Sequence, residues 1–263
     1  MRLLERLRPK PAPRIEALMA RARAHADAGR YQEALAIWEP LARAGVARAR
    51  NNIGACFVHG YGVEADLELA ARWIRLAAEA GDVVAQRNLA TLLAQGLGVP
   101  EDADEAVRWY RAAAEQGDAP SQDMLAWMLT DGAWLPPDDA AALRWTRAAA
   151  EAGIARAQAR LGRMYHEAKA GLPRDPEAAA FWWRRAALRG EPEAQAMLGA
   201  AHHLGRGVPA DQVEALHWLA RAQRAGSPHA GNFMARVLER LSEAEITEAR
   251  RRAALPLAEL APA

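Results

Sequence analysis

The feature that most limits how this chain can fold is a period. Gly45, Gly81, Gly117, Gly153, Gly190 and Gly226 are separated by 36, 36, 36, 37 and 36 residues. Two further columns keep the same step: tryptophans at Trp73, Trp109, Trp145, Trp182 and Trp218, and aspartates at Asp66, Asp102, Asp138, Asp175 and Asp211. A period of roughly 20–50 residues marks an array in which each unit covers its apolar face only by stacking on its neighbour. Three columns in one register over five units therefore argue for stacked repeats and against a single closed core.

One repeat shows what is being stacked. Residues 82–117 contain two apolar-periodic stretches separated by GLGVPED. The first predicts a helix, A, from about Val83 to Gln95, with Ala85, Leu89, Ala90 and Leu93 on one stripe. The second predicts a helix, B, from about Asp102 to Gln116, with Ala106, Trp109, Ala113 and Ala114 inward and Gly117 ending it. Each columnar aspartate opens a B helix, where a carboxylate accepts backbone N–H groups and opposes the helix dipole. With 51% hydrophobic but only 6% aromatic residues, Ala and Leu must supply most of the core, which also favours helices.

The pattern A-x-x-x-L-G/A-x-x-Y/L-x-x-G-x-G-V-x-x-D-x-x-x-A-x-x-W-x-x-A-A-x-x-G resembles the Sel-one-like repeat, a branch of the tetratricopeptide-like solenoids. Residues 46–226 supply five such repeats, best formed over Val46–Gly81, Asp82–Gly117 and Glu191–Gly226 with loops GYGV, GLGV and GRGV. Residues 14–45 resemble a shorter tetratricopeptide-like pair in which Trp38 sits one place later than the other tryptophans. The resemblance implies an all-α chain, a right-handed α/α superhelical solenoid of repeated antiparallel helix pairs. Two loops depart from the pattern. The third reads DGAWLPPDD, with Trp134 at the second glycine, and the fourth reads HEAKAGLPRD, with one extra residue and Lys169 at the first glycine. Residues 227–252 read as C-terminal capping helices, with a capping box at Ser242 and Glu245, and residues 253–263 as a tail. Residues 1–13 read as a flexible basic arm, with Leu3, Leu4 and Leu7 beside Arg2, Arg6 and Arg8.

The sequence offers little to a catalytic reading. A net charge of +1, from 34 basic and 33 acidic residues, provides no field to draw nucleic acid. The single Cys56 permits no internal disulfide, the N-terminus lacks the apolar run of a secretory signal, and no window of 18 apolar residues spans a membrane, so a cytoplasmic chain is expected. The GxGV loops follow helices, not strands, and have no fixed Lys-Ser/Thr partner, so they are tight turns and not phosphate cradles. None of the seven histidines sits in an HExxH pattern, and adjacent His202 and His203 point about 100° apart on a helix, so neither a metal nor a cofactor is expected. Cys56 shares its column with Leu92, Met128 and Met164 and reads as a core thiol; the recurring tryptophans read as core as well.

Tetratricopeptide-like solenoids usually bind along the concave surface lined by helix A, and the resemblance carries that surface onto this chain. With Leu89 and its equivalents taken as buried, the flanking groove positions include Asn51, Arg87, Thr91, Asp123, Trp127 and Arg163, with His166 and His203 one turn later. Trp and Arg are the residues that most often become binding hot spots. The expected function is a non-catalytic, monomeric scaffold or adaptor that takes an acidic or aromatic-containing peptide or protein in this groove. Two other readings stand beside it: a peripheral membrane organiser tethered by residues 1–13, and a hydrolase of the penicillin-binding Sel-one-like type. Those enzymes carry Cys pairs in each repeat and are secreted; this chain has one cysteine.

Overall fold

The computed structural model describes residues 13–132 and 134–259, and among them every regular element is helical. The chain forms two compact bodies divided between Ser121 and Gln122. The first body holds three helix pairs: α1 (Pro13–Asp27) with α2 (Tyr31–Arg43), α3 (Ala47–His59) with α4 (Leu67–Glu79), and α5 (Val83–Gln95) with α6 (Ala103–Glu115). Helix α7 (Ala119–Asp131) crosses the division, and α8 (Asp139–Glu151), α9 (Ala155–Glu167), α10 (Pro176–Ala187), α11 (Pro192–Leu204) and α12 (Gln212–Arg224) continue the alternation. The second body closes with α13 (Gly231–Leu238), α14 (Glu243–Ala254) and a 3-10 turn at Leu257–Glu259. Within each body a B helix packs on its own A helix and on the A helix that follows, which is the antiparallel-pair solenoid the repeat calls for. Residues 1–12, which hold nearly all of the expected basic arm, and residues 260–263 of the tail lie outside the described residues.

The aspartate column caps the B helices. Asp66, Asp102, Asp138, Asp175 and Asp211 are extended N-cap residues whose carboxylates accept from backbone N–H groups of Leu69, Glu105, Ala141, Ala178 and Glu214 at 2.8–3.0 Å. Each bond satisfies an amide that the first helical turn leaves without an intrahelical acceptor.

The core column of the B helices is one residue later than the sequence pattern suggested. Of the five recurring tryptophans only Trp218 is buried; Trp73, Trp109, Trp145 and Trp182 are half-buried at the rim. Trp109 donates its Nε1–H to Glu105, and Arg144 and Arg185 lie over the rings of Trp145 and Trp182. The buried positions are instead Ile74, Tyr110, Thr146, Trp183 and Leu219. Trp38, the apparent outlier, lies 36 residues before Ile74 and is 4% exposed, so it occupies the true core column. An indole keeps its ring on apolar surface and its N–H near polar groups, which suits it to a rim.

Small residues on the A helices set how closely that column packs. A Cβ on Gly162 would lie 2.6 Å from the Trp183 ring and 3.0 Å from the Ala179 carbonyl oxygen. The loop glycines Gly98 and Gly207 are bound more tightly still, since a Cβ on either would overlap a backbone carbonyl, that of Leu67 or of Pro176, at the start of the preceding B helix. The GxGV turn is therefore a backbone-to-backbone contact between repeats. In the fourth loop the helix-ending position is held by Ala168, not Lys169. Ala168 takes a left-handed φ of 57°, so the extra residue lies further on, where Ala170 is also left-handed at 56°.

Buried side chains tie consecutive repeats at the opposite end. Gln86, Gln158 and Gln195 each donate through Nε2 to the carbonyl eight residues earlier, that of Ala78, Ala150 or Ala187, and Arg50 does the same to Ala42. These carbonyls belong to the last turn of a B helix, which has no amide of its own to offer them. At the C-terminus, the expected capping box at Ser242 and Glu245 forms. Arg221 reaches across to donate to the carbonyls of Arg252 and Leu255, and Leu257 packs against the apolar cluster that holds Trp183 and Trp218.

Candidate functional site

The A-helix face of the first body carries three of the expected groove residues, and each already has a partner. Asn51 is buried and accepts from Asn88 Nδ2 at 2.9 Å. Arg87 Nη1 donates to Asp118 Oδ1, and Thr91 Oγ1 donates to the Arg87 carbonyl and lies 3.0 Å from the Tyr110 hydroxyl. Burial raises the Tyr110 hydroxyl pKa above its ordinary value. Around them Arg48 pairs with Asp82, and Arg75 with Glu105, whose carboxylate is held below its ordinary pKa by that hydrogen bond. Polar groups that bond one another across repeats act chiefly in holding the stack together. The same body has an open depression of about 560 Å³, lined in part by Met19, Tyr31, Trp38, Cys56 and Tyr61. Burial pushes the Cys56 thiol up to about 11, so at neutral pH it is a core thiol and not a thiolate nucleophile.

The second body distributes its residues differently. Asp123 is 4% exposed and is held by Arg160 at 2.8 Å and Arg156 at 3.6 Å, so it neutralises neighbouring cations and offers nothing outward. His203 is buried, with Nδ1 2.7 Å from Gln212 Oε1, and half-buried His166 lies against the Trp183 ring. Trp127, by contrast, is 41% exposed, and exposed Arg163 makes a single surface bridge to Glu193 at 3.1 Å. These two occupy the same register position on α7 and α9, one 36-residue step apart. Of the eight expected groove residues, the structure leaves these two as open side chains.

Two features escaped sequence reasoning. The buried glutamine column recurs at the repeat step and was visible as a pattern, but Gln reads as a surface residue until its carbonyl partner is located. His217 lies in the interior beside Trp218, and its ring is kept neutral, with its pKa pushed down to about 4, by burial and then by the cations Arg221, Arg252 and Arg224 and by His202. Among the described residues no three His, Cys, Asp or Glu side chains converge as a metal site, and no helix is long and apolar enough to cross a membrane.

The Sel1 repeat family model matches residues 47–82, 83–118, 119–154, 155–191 and 192–227. Among solved structures, a Sel1 repeat protein from Oxalobacter formigenes is 32% identical, with a TM-score of 0.74 over 89% of this chain and 98% of that one. A protective antigen of uropathogenic Escherichia coli displaying an SLR fold is 22% identical, with a TM-score of 0.44 over 91% of this chain and 68% of that one. An immunity protein from Pseudomonas aeruginosa is 17% identical, with a TM-score of 0.49 over 86% and 87%. No curated protein matches the chain.

Proposed function

The chain belongs to the Sel1 repeat family, and from that premise we propose that it is a non-catalytic scaffold or adaptor that binds a protein partner through the A-helix face of its second body. Sel1 repeat solenoids commonly serve protein interaction, and the side chains here engage in caps, stacking and cross-repeat pairs. The observation that carries the reading is Trp127. Trp127 is 41% exposed in a column otherwise held by Ala55, Thr91, Arg163 and Ala200, none of them aromatic. With Arg163 one repeat further on, the same face presents an aromatic side chain and a cation, two of the residue types most often found at interface hot spots. An acidic or aromatic-containing segment is the chemistry that such a pair recognises.

Affinity capture from the source cell tests this directly. Trp127→Ala with Arg163→Ala is expected to release the captured partner, whereas Arg87→Ala, which breaks an internal pair, is expected to leave capture intact. A double variant that retains its partner in full sinks the reading.

A further inference from the structure

The second body contains an apolar cavity of about 140 Å³, walled by Trp183, Met197, Ala201, Leu204 and Phe233. Its origin lies in one column of the repeat. The A-helix position filled by Leu92, Met128 and Met164 in three preceding repeats is Ala201 here, and the missing side chain is not replaced from elsewhere. A void of this size, close to the roughly 150 Å³ that accommodates benzene in an engineered protein interior, holds one aromatic ring or one branched aliphatic side chain. The cavity is open on one side, and Leu204 at its edge is 47% exposed.

What lies at the opening is cationic. His166, Pro176 and Arg206 line both the cavity and a shallow depression next to it, and Arg174 completes the rim of that depression. Arg174 and Arg206 are exposed, and neither guanidinium forms a salt bridge or hydrogen bond among the described residues. Arg48, Arg75, Arg87 and Arg160, by contrast, each pair with an acid of a neighbouring repeat. An apolar hole for one side chain beside two free guanidiniums is complementary to an apolar residue flanked by carboxylates.

We propose that this cavity is a docking site for a short acidic segment of a partner protein, with one Phe or Leu inserted between α9 and α11 and adjacent Asp or Glu side chains facing Arg174 and Arg206. A fatty acyl chain does not fit a void of one side chain, and the open outer depression suits an extended peptide backbone. The site contains neither Trp127 nor Arg163, although Ala200 of their column lines it, so Trp127→Ala separates a failure here from a failure of binding at that pair.

The test uses the full chain and three amidated, acetylated peptides: Gly-Glu-Phe-Glu-Gly, Gly-Lys-Phe-Lys-Gly and Gly-Glu-Ala-Glu-Gly. The phenylalanine carries a para-fluorine so that fluorine NMR reads binding of the two phenylalanine peptides directly and of the alanine peptide by its competition with the acidic one. The acidic phenylalanine peptide is expected to bind more tightly than either of the others, on the order of tenfold for loss of the ring, and more weakly as salt rises. Ala201→Met, which restores the residue type of the column, is expected to raise the melting temperature while abolishing binding. Arg174→Glu with Arg206→Glu, both exposed and so compatible with folding, is expected to reverse the preference toward the lysine peptide. Trp127→Ala is expected to leave all three affinities unchanged. Equal binding of the acidic and basic peptides, binding that survives Ala201→Met, or no binding of any peptide would each overturn the proposal. So would decanoate binding in the absence of peptide binding, which would assign the cavity to a lipid.

Discussion

Along the A helices of the first body the polar side chains bond one another, whereas in the second body several do not. Arg87, Asn51 and Thr91 have partners on adjacent helices or turns, and the GYGV and GLGV loops both keep their glycines. In the second body Trp127 stands out from the surface, Arg174 and Arg206 lack counter-ions among the described residues, a core position is reduced to Ala201, and two loops break the pattern. The same 36-residue unit built both bodies, so the contrast does not arise from the fold. It arises where the repeat is broken, and breaks that leave a side chain or a void unsatisfied are where a partner can gain free energy.

If that contrast is right, the framework must matter equally in both bodies. Gly98→Ala in the first and Gly207→Ala in the second each force a Cβ onto a backbone carbonyl that cannot move aside, at φ of 68° and 76°. Each is expected to destabilise its body by about 3 kcal/mol or more. Urea unfolding followed by tryptophan fluorescence reads both. A cost below about 1 kcal/mol at either glycine would mean that the loop contact is not part of the framework in that body.

His217 distinguishes the second body by pH. Its folded-state pKa of about 4 lies below the ordinary 6.5, because the charged ring would be buried among Arg221, Arg224, Arg252 and His202. The unfolded chain therefore takes up a proton that the folded chain refuses, and stability is full above pH 6.5 and falls as the pH drops from 6.5 toward 4. His217→Gln is expected to flatten that part of the curve by up to one proton, and melting temperatures across the range measure it. An unchanged slope would show that the ring is already charged in the folded state.

A smaller effect is expected from the glutamine column. Gln158→Leu leaves the Ala150 carbonyl without its donor inside the protein and is expected to destabilise by about 1–3 kcal/mol, with Gln86→Leu similar in the first body because Ala78 loses the same bond. Thermal unfolding of the two variants side by side would separate a shared framework from a local one.

How much of this was legible in the sequence depends on the range of the interaction. Helix caps are local, so Asp66 and its equivalents, Ser242 with Glu245, and the helix pair within residues 82–117 followed from spacing alone. The rotation of the B helix was not legible, because Trp is an apolar residue at helical spacing whether it faces the core or the rim; Trp38, one place out of line, was the residue that pointed to the true column. The expected groove could be written as a set of positions but not as a set of available side chains. Whether Arg87 or Arg163 is free depends on acids 30 or more residues away, Asp118 and Glu193, and no local pattern reports that pairing. The cavity was visible in retrospect as one small residue, Ala201, in a column of large ones.

The finest test of the contrast sets those two arginines against each other. The Arg87–Asp118 pair is the better shielded, with side chains 29% and 9% exposed, and Asp118 also accepts from Ser121 at the start of α7. The Arg163–Glu193 pair is 44% and 41% exposed and makes one bond. Exposed pairs contribute from nothing to about 1 kcal/mol, and shielding raises that figure only when further hydrogen bonds hold the geometry. Arg87→Ala is therefore expected to destabilise by about 1 kcal/mol and Arg163→Ala by less than about 0.5 kcal/mol. The effects on partner capture are expected to run the other way, because a cation already engaged by the fold has little left to give a ligand, whereas one held loosely can exchange Glu193 for a partner's carboxylate. If Arg87→Ala released the partner and Arg163→Ala did not, the binding face would belong to the first body and the distinction drawn between the two would be reversed.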